Sequence, residues 1–464
     1  MAGLMQSLEI GRRALLTNQA ALQTIGHNIA NVNTPGYSRQ RVNITSTFPD
    51  SSRFGQIGSG VTVADIRQIR DLFLGEQFRQ ESKNLGQWTY KEKIMIQIES
   101  VFSEPGENGL SDLLNRFWDS WGELSTNPNS VSNRVAILEE AKLLTSAFQQ
   151  LSSQLNELRE SIDKEIVNTT DEINNLTLSI ARLNDIIKVQ EAGGDNANDM
   201  RDRRDLLIDR LATIIDVNTI ARDDGTTTVY IGAMTIVDGA DSLKIQTKQL
   251  NVDGTLKHEL YWENTTVPVR NLNGRLTAMY EARDKIIPKY RQRLDKLAGS
   301  MIDQVNQLHS AGFGLNGSTG INFFNSVYTD AANISVNGDL ILDPTRVAAS
   351  ASGEPGDNVV ALDIQDLRNV KVLDNNTRSL NDFYNGIVGE LGIETNTAIS
   401  FTNNFELLVH QIENARESVQ GVSLDEEMTN LIRYQHAYDA AARVITAMDQ
   451  ALDTVINKMG IVGR

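Results

Sequence analysis

Apolar side chains recur every three to four positions along the first thirty residues of the chain. One heptad seam of this segment contains Leu8, Leu15, Leu22, Ile25, Ile29 and Val32. Such spacing is typical of an amphipathic helix that packs along a single partner helix. The first segment is therefore predicted to be a helix that needs a partner.

The last segment of the chain carries a matching seam. Its members are Met428, Leu431, Tyr438, Ala442, Ile445, Leu452, Ile456 and Met459. We predict that residues 1–45 and 421–464 form one inner coiled-coil domain, and the simplest version is a hairpin made by the two ends of one monomer. Burial of the seam side chains offsets only part of the conformational entropy that these two segments lose when they become ordered. We therefore expect the segments to be fully ordered only when neighbouring subunits cover the other faces of their helices.

The first helical pattern breaks off abruptly in the stretch "NVNTPGY". Asn33, Thr34, Pro35, Gly36 and Tyr37 place Pro at the second and Gly at the third position of a type II turn. The following "VNITSTF" alternates like a strand. The turn is predicted to lead the chain from the terminal helix into the next domain, although a turn without such a role remains an alternative.

The middle of the chain carries a third seam, which runs from about Arg134 to Glu191 without Pro or Gly until residue 193. This pattern predicts one long helix that suits a rod-like body. A further helical stretch, Leu276 to Leu308, contains Pro288, which is expected to kink or divide it. An elongated helical domain is therefore predicted from residues 46–212, 269–320 and 370–420.

Strand-like patterns are confined to two regions. Residues 216–268 alternate with a period near two and contain Gly-Asp turn signals, and a weaker pattern lies within residues 331–350. We predict a β-rich outer domain from residues 213–268 and 321–369. The expected fold class is mainly α with a β-rich insert, which is a multidomain α+β protein.

Composition narrows the range of partners. With 464 residues the chain is long enough for about three domains. Its 60 acidic and 43 basic residues give a net charge of −17, which disfavours binding to nucleic acid. The densest basic run, "RDRRD" at residues 201–205, is interpreted as a solvated helix face because acids interrupt it.

Cysteine is absent, so disulfides and thiol chemistry are excluded. The N-terminus lacks the charged start and apolar run of a cleaved Sec signal, and no window resembles a membrane span. Membrane insertion is not expected, and export would need another route.

No pattern of residues points to catalysis. His27, His258, His309, His410 and His436 lie far apart in sequence and lack the spacing of metal ligands. The stretch "GFGLNGSTG" lacks the ending of a phosphate loop, "DNANDM" does not match an EF-hand, and no GxSxG motif occurs. No catalytic, metal-binding or cofactor-binding residue is therefore predicted.

Two stretches, "ANVNTPGYSRQRV" and "GVSLDEEMTNLIRYQHAYDAAARVITAMDQALDTVINKMG", resemble the flagellar hook-associated protein 1 family of first hook-filament junction proteins. The continuation "SRQ" after the turn is similar to this family rather than to the hook protein. The interior stretches "RDKIIPKYRQRLDKLA", "VNQLHSAGFGLNG" and "GINFF" also resemble it. The resemblance covers most of the chain and is weakest in the β-rich insert.

This resemblance implies a structural, non-enzymatic protein of the bacterial flagellum. The chain would be exported unfolded by the flagellar type III system and would form a ring that joins the hook to the second hook-filament junction protein. Its implied partners are other copies of itself, the hook protein, the second junction protein and an export chaperone on the C-terminal helix. The alternatives are another axial component, such as a hook or rod protein, and an exported hydrolase carried on axial-type termini.

Overall fold

The computed structural model describes residues 2–52, 55–102, 109–252, 254–270 and 272–458. The α-helices are α1 Ala2–Ala30, α2 Leu72–Phe102, α3 Leu110–Thr126, α4 Val131–Ala192, α5 Asn198–Ile214, α6 Gly274–Glu281, α7 Ile287–Ala311, α8 Gly338–Leu342, α9 Val359–Asp366, α10 Leu380–Gln420 and α11 Leu424–Asp453. The strands are β1 Gln40–Ser46, β2 Asp50–Ser52, β3 Gly55–Ile57, β4 Val61–Gln68, β5 Asn218–Ala221, β6 Thr227–Ile231, β7 Met234–Asp238, β8 Asp241–Ser242, β9 Ile245–Val252, β10 Thr255–Trp262, β11 Phe313–Gly314 and β12 Ala348–Ser350.

Helix α4 is the backbone of the body, as the third seam predicts. It contains 62 residues and therefore extends about 93 Å. The Ser130 hydroxyl accepts a hydrogen bond from the Asn133 amide at 3.1 Å and caps its first turn. Seam residues such as Phe148, Ile166 and Ile180 are buried, and α4 packs against helices α3, α5 and α7. The predicted long helix is confirmed.

The second helical stretch changes its hydrogen-bond pattern just before Pro288. Helix α6 passes into a π-helical turn at Ala282–Ile286, and α7 begins immediately afterwards with Pro288 in its first turn. Proline has no N–H to donate to the preceding turn, so the regular hydrogen-bond ladder is interrupted at this point. The chain stays helical from Gly274 to Ala311, so the helix is not divided, and the proline is marked by this π-helical turn.

The main β-rich segment lies against the C-terminal half of α4. Strands β5 to β8 form an antiparallel sheet in sequence order, and β9 pairs with β10. The side-chain amide of Asn184 donates to the Thr227 carbonyl at 2.8 Å, and that of Asn174 donates to the Ile245 carbonyl at 2.7 Å. These bonds fix the insert to the long helix.

The second β-rich region differs from the prediction. Residues 321–369 contain helices α8 and α9, and their one short strand, β12, pairs with β11. This region lies at the other end of α4, where Arg134 donates from Nε to the Val347 carbonyl at 3.0 Å. Arg134 and Asn184 are about 75 Å apart along the helix. The two regions share no sheet, and the division into three domains stays a prediction.

The strand predicted after the turn is β1, which pairs with β4. Residues 50–68 continue this hairpin through β2, β3 and β4, so the segment after residue 46 begins with strands before the helices. Within the described ranges, no helix combines the length and the hydropathy of a membrane-spanning segment.

Candidate functional site

The two ends of the chain pack against each other as an antiparallel helix pair. Gly11 of α1 lies opposite Ile445 of α11, and Asn28 near the end of α1 meets Glu427 near the start of α11. A Cβ added at Gly11 would lie 2.8 Å from the Ile445 Cγ1 atom, so this glycine allows the close approach of the helices. The predicted pairing of the ends is present within one chain.

The N-terminal seam is only partly enclosed by this pair. Ile25 is buried, whereas the side chains of Leu8, Leu15, Leu22 and Ile29 are half-buried. Val32 follows the end of α1 and is also half-buried. The buried face instead follows a row of small and polar residues: Gly11, Thr17, Ala21, Thr24 and Asn28.

The C-terminal seam faces α1 in its central part. Leu452 is buried, and Leu431, Tyr438, Ala442 and Ile445 are half-buried. These positions follow the spacing that the sequence predicts. Met459 lies outside the described residues.

Two members of the C-terminal seam, Met428 and Ile456, are not enclosed by the pair within one chain, and their predicted role in assembly stays a prediction. Met428 is 49% exposed because the neighbouring Glu427 takes the buried position, where its carboxylate accepts the Asn28 amide. Ile456 is 65% exposed and lies in the π-helical turn Thr454–Lys458. These two residues do not contribute to the pair.

The predicted type II turn is confirmed. Gly36 has φ 77°, and the Tyr37 amide donates to the Thr34 carbonyl at 3.1 Å. Pro35 occupies the second position, and Asn33 is exposed just before the turn. The turn brings the chain out of α1 and directly against helix α5.

The end of α1, the turn, the start of β1 and the start of α11 meet at one place, which we call the corner. Asn28 is the centre of the hydrogen bonds there. Its side-chain amide donates to the Gln40 carbonyl at 2.9 Å and to the Glu427 carboxylate at 3.1 Å. Its Oδ1 atom accepts from the Tyr37 hydroxyl at 2.7 Å and from the Gln40 amide at 3.0 Å. Burial raises the pKa of Tyr37 above its ordinary value, with smaller contributions from nearby carboxylates, so the phenol stays a donor. One side chain therefore joins α1, the turn, β1 and α11.

A row of carboxylates on α5 holds this corner to the body. The row consists of Asp199, Asp202, Asp205 and Asp209, whose spacing puts them along one side of the helix. Asp199 accepts from the Gln40 side chain at 2.7 Å and lies 3.2 Å from His27. Asp202 accepts from the Ser38 backbone amide at 2.9 Å. Burial raises the pKa of Asp202 above its ordinary value.

The second half of the α5 carboxylate row binds arginines from three directions. Asp205 pairs with Arg70, which follows β4. Asp209 accepts from Arg79 of α2 at 2.7 Å and from Arg416 of α10 at 3.1 Å. Because these pairs are largely buried, removal of one partner would leave an uncompensated charge. The row therefore connects the terminal pair, α2 and α10 through one helix.

This arrangement corrects the interpretation of the run "RDRRD". Asp202, Arg204 and Asp205 are buried rather than solvated, and Arg203 alone of the run is exposed. Arg204 donates from Nη1 to the Gly225 carbonyl at 2.8 Å, and burial lowers its pKa to about 10. The two acids of the run have partners on other elements, because Asp202 accepts from the Ser38 amide and Asp205 pairs with Arg70.

A groove lies beside the corner, between the turn, α5 and the segment that joins α10 to α11. Its volume is about 840 Å³, and its lining combines apolar groups such as Pro35, Leu206 and Val422 with charged groups such as Arg416 and Glu417. The charges are of both signs and many are already paired.

The histidines do not converge on a site. His27 contacts Asp199, His258 contacts Asp163, His309 is buried between main-chain partners, His410 lies near Glu413 and His436 is exposed. In the part of the chain that the structure describes, no cluster of three or more His, Asp or Glu side chains could hold a metal ion.

Sequence reasoning missed Asn28, Ser38, Gln40, Glu427 and the α5 carboxylate row. Their roles depend on hydrogen bonds between segments far apart in the chain. One signal was available: Thr17, Ala21, Thr24 and Asn28 repeat with heptad spacing, although none is a large apolar residue.

Comparison with known proteins agrees with this architecture. A family model described as the flagellar hook-associated protein FlgK helical domain matches residues 95–324. Models of the flagellar basal body rod FlgEFG protein C-terminal region and of the flagella basal body rod protein match residues 417–459 and 8–37. The last two matches coincide with α11 and α1.

Whole-chain relatives and a solved structure are similar to this chain. Flagellar hook-associated protein 1 of Salmonella typhimurium is 24% identical, over 95% of this chain and 97% of that protein. The flagellar hook junction protein FlgK from Burkholderia pseudomallei has a similar fold, with a TM-score of 0.64, 15% identity, and coverage of 75% of this chain and 100% of that one. Flagellar hook-associated protein 1 of Bacillus subtilis is 33% identical and covers 100% of both chains. The chain therefore belongs to the flagellar hook-associated protein 1 family, whose members are structural components of the bacterial flagellum.

Proposed function

We propose that this protein is a structural adapter at the junction between the flagellar hook and the filament. The observation that carries the proposal is the whole-length similarity to flagellar hook-associated protein 1 together with the antiparallel pair of α1 and α11. The half-buried seams of this pair leave apolar surface for neighbouring subunits. Copies of the chain would form a ring, with the terminal pair toward the axis and the β-rich insert outward.

The proposed partners are other copies of the chain, the hook protein and the second hook-filament junction protein. The seam residues of α1 and α11 named above would contact the copies on either side, and the turn would set the angle between the axis and the body. The function is geometric, because the adapter has to fit one lattice on each side. No catalysis is proposed.

Immunogold electron microscopy of intact flagella tests this function directly. An antibody against residues 218–262 is expected to label a narrow band at the boundary between hook and filament. Label along the hook or rod would reassign the chain to another axial component. Absence of flagellar label, with turnover of cell-wall glycan by the purified protein, would favour the exported hydrolase.

We also propose export by the flagellar type III system, with a chaperone on α11 before the terminal pair forms. Leu431, Tyr438, Ile445 and Leu452 lie on the side of α11 that faces α1. Before α1 covers it, this face is apolar and suits a groove that accepts an amphipathic helix. The chaperone and α1 would then compete for the same surface.

Isothermal titration calorimetry with the purified chaperone tests this step. The double substitution Tyr438→Asp and Ile445→Asp is expected to abolish binding, because it puts two charges on the apolar face. A matched control, Ile432→Asp, changes a residue that is 51% exposed on the other side of α11 and is expected to bind normally. Unchanged affinity of the double variant would refute the proposed chaperone site.

A further inference from the structure

A pocket lies between the middle of α4, the hairpin of β9 and β10, and the π-helical turn that precedes α7. We call it the α4–β10 pocket, and its volume is about 520 Å³. Since a water molecule takes up about 30 Å³ of the liquid, the pocket has room for an oxyanion together with the group that carries it. Cations outnumber carboxylates in its lining, and the charged members are Arg159, Lys164, Lys257, Arg283, Glu160 and Asp163.

Arg159 is the cation of this lining that lacks a counter-charge. The residue is only 9% exposed, and its buried Nε atom has no hydrogen-bond partner. Within the described ranges, no ion pair joins its guanidinium to a carboxylate. Burial lowers the pKa of Arg159 below its ordinary value. A buried charge without a partner is costly, and an anion that enters the pocket would remove that cost.

The first carboxylate that acts on Arg159, Asp163, is occupied by other donors. One of its oxygens accepts from the His258 backbone amide at 2.9 Å and from Arg283 at 2.7 Å. Its other oxygen lies 2.6 Å from the His258 Nδ1 atom. Arg283 also donates to Glu259 at 2.8 Å, so its own charge is compensated. Asp163 therefore orders the hairpin and the π-helical turn against α4 and leaves the guanidinium of Arg159 unpaired.

The other nearby carboxylates are also engaged. Asp284 lies 2.9 Å from the Lys257 Nζ atom and accepts from Arg283 at 2.8 Å. Glu160 is exposed and accepts from the Asn156 side chain at 2.8 Å. The pocket thus keeps one buried guanidinium for a group that comes from outside this network.

We propose that the α4–β10 pocket binds a small ligand through an oxyanion, either a phosphate or a carboxylate, and that Arg159 holds this group. A guanidinium presents two parallel N–H donors, which match two oxygens of either group. Lys164 is an exposed cation of the same lining and adds attraction at the mouth of the pocket. The pocket is formed within one chain, so the inference does not depend on the proposed ring.

Isothermal titration calorimetry of the purified chain with sodium phosphate tests the site. Saturable binding at a single site is expected, measured against sodium chloride of the same ionic strength. Arg159→Gln is expected to weaken binding by about ten-fold or more, because charge-assisted hydrogen bonds are lost. The matched control Arg182→Gln changes an exposed arginine of the same helix and should keep the wild-type affinity.

A parallel titration with sodium acetate distinguishes the two kinds of oxyanion. Tighter binding of phosphate than of acetate would support a ligand that carries a phosphate group. Tighter binding of acetate would support a ligand that carries a carboxylate.

Melting temperatures separate loss of the site from loss of the fold. Without phosphate, Arg159→Gln should melt at least as high as wild type, because an uncompensated buried charge is removed. Phosphate should raise the melting temperature of wild type but not of this variant. Lys164→Gln changes an exposed residue, so it provides a second test that leaves the core intact. It should weaken phosphate binding by about three-fold.

Three results would overturn the proposal. The first is that neither phosphate nor acetate binds the wild-type chain more than chloride does. The second is equal phosphate affinity of Arg159→Gln and Arg182→Gln. The third concerns Asp253, which lies between β9 and β10 in sequence and outside the described residues. If anions bind only after the substitution Asp253→Asn, the partner of Arg159 is a carboxylate of the chain itself.

Discussion

At the scale of single residues, Asn28 is suited to its place because an amide both donates and accepts. Its Nδ2 group donates to Gln40 and Glu427, and its Oδ1 atom accepts from Gln40 and Tyr37. Aspartate would present a second carboxylate to Glu427, and leucine would leave every partner unsatisfied. The side chain is 1% exposed, so water cannot take over these bonds.

Substitution Asn28→Ala is expected to weaken the contact between α1 and α11 by about 2 to 3 kcal/mol, because buried donors and acceptors lose their partner. Hydrogen exchange of α1 amides measures the loss as faster opening. The control Gln23→Ala changes an exposed position of the same helix and should leave exchange nearly unchanged. Equal exchange in both variants would show that Asn28 does not hold the corner.

His309 is a neutral histidine in the core. Its Nδ1–H donates to the Ile321 carbonyl at 2.7 Å, and its Nε2 accepts from the Ala348 amide at 3.0 Å. Burial lowers its pKa from 6.5 to about 4. A protonated ring could not accept the Ala348 amide, so the bond itself requires the neutral form.

This shift makes stability depend on pH. In the unfolded chain His309 binds a proton below about pH 6.5, whereas in the folded chain it binds one only below about pH 4. Protonation therefore favours the unfolded state, and stability is lost as the pH falls from 6.5 to 4. The expected loss from this residue is about 3 kcal/mol. Urea unfolding of wild type and of His309→Gln checks it, because the variant should lose less stability between pH 6.5 and pH 4. Parallel pH profiles would assign the acid sensitivity to other groups.

The sequence predicts well which large apolar side chains face the partner helix. Ile25, Ile445 and Leu452 face the partner helix as their spacing indicates. Gly11 fills a position of the N-terminal seam, but hydrophobicity carries no information about the close backbone approach there or about the buried amide of Asn28. Such positions become visible only when the partner segment is known.

At the scale of elements, the turn after α1 requires glycine at position 36, whereas α1 does not require glycine at position 26. Gly36 has φ 77°, and an added Cβ would lie 3.3 Å from the Leu206 Cβ atom. Gly26, ten residues earlier in α1, is exposed and has nothing within 4 Å of an added Cβ. The same substitution should therefore have opposite effects at the two positions.

Gly36→Ala is expected to destabilise the corner by about 1 to 3 kcal/mol, because the turn needs a left-handed backbone and Leu206 limits the space. Gly26→Ala should stabilise α1 by about 0.5 to 1 kcal/mol, because alanine loses less backbone entropy in a helix. Denaturant titration monitored by circular dichroism measures both. A common sign for the two variants would contradict this account.

Long helices could be predicted from the sequence because their apolar residues recur regularly over many turns. Short elements could not, because their pattern is too brief to distinguish helix from strand. Helix α4 follows from periodicity, and the irregular turn before Pro288 follows from one missing N–H group. The segment around α8 was misread because its valines and isoleucines alternate over too few residues to decide between strand and helix. In the structure the Asn337 side chain accepts from the Asp339 amide at 3.0 Å, a local cap that starts α8.

At the scale of the whole molecule, the body and the terminal pair differ in how they are supported. Helix α4 is packed along its length by other helices and by both β-rich segments. Helix α11 has its main contacts with α1, and α1 otherwise touches β1 and β4. The ends should therefore open more readily than the body.

Limited proteolysis of the purified monomer is expected to remove the ends, up to about Thr45 and from about Gly421, before it cuts the middle. Exposed basic residues occur in both parts, with Arg12 and Arg443 in the terminal pair and Lys188 in α4, so trypsin has access to each. Mass spectrometry of early fragments identifies the first cuts. Early cleavage at Lys188 with intact ends would contradict the expectation.

The overall layout was only partly predictable. Heptad seams at both ends predicted their pairing, because a seam requires a partner of the same length. The positions of the two β-rich segments at opposite ends of α4 could not be derived, since nothing in a strand pattern states which part of a 62-residue helix it contacts. The same holds for the α5 carboxylate row, whose partners come from the N-terminal segment, α2 and α10.

The bond between Asn28 and Glu427 joins residues that are 399 positions apart. During synthesis the first helix leaves the ribosome long before its counterpart exists, and nearly the whole message must be read before the pair can close. A chain that stops before Leu424 has a complete body but an unmatched N-terminal helix. Only a chain translated through α11 can therefore close the terminal pair.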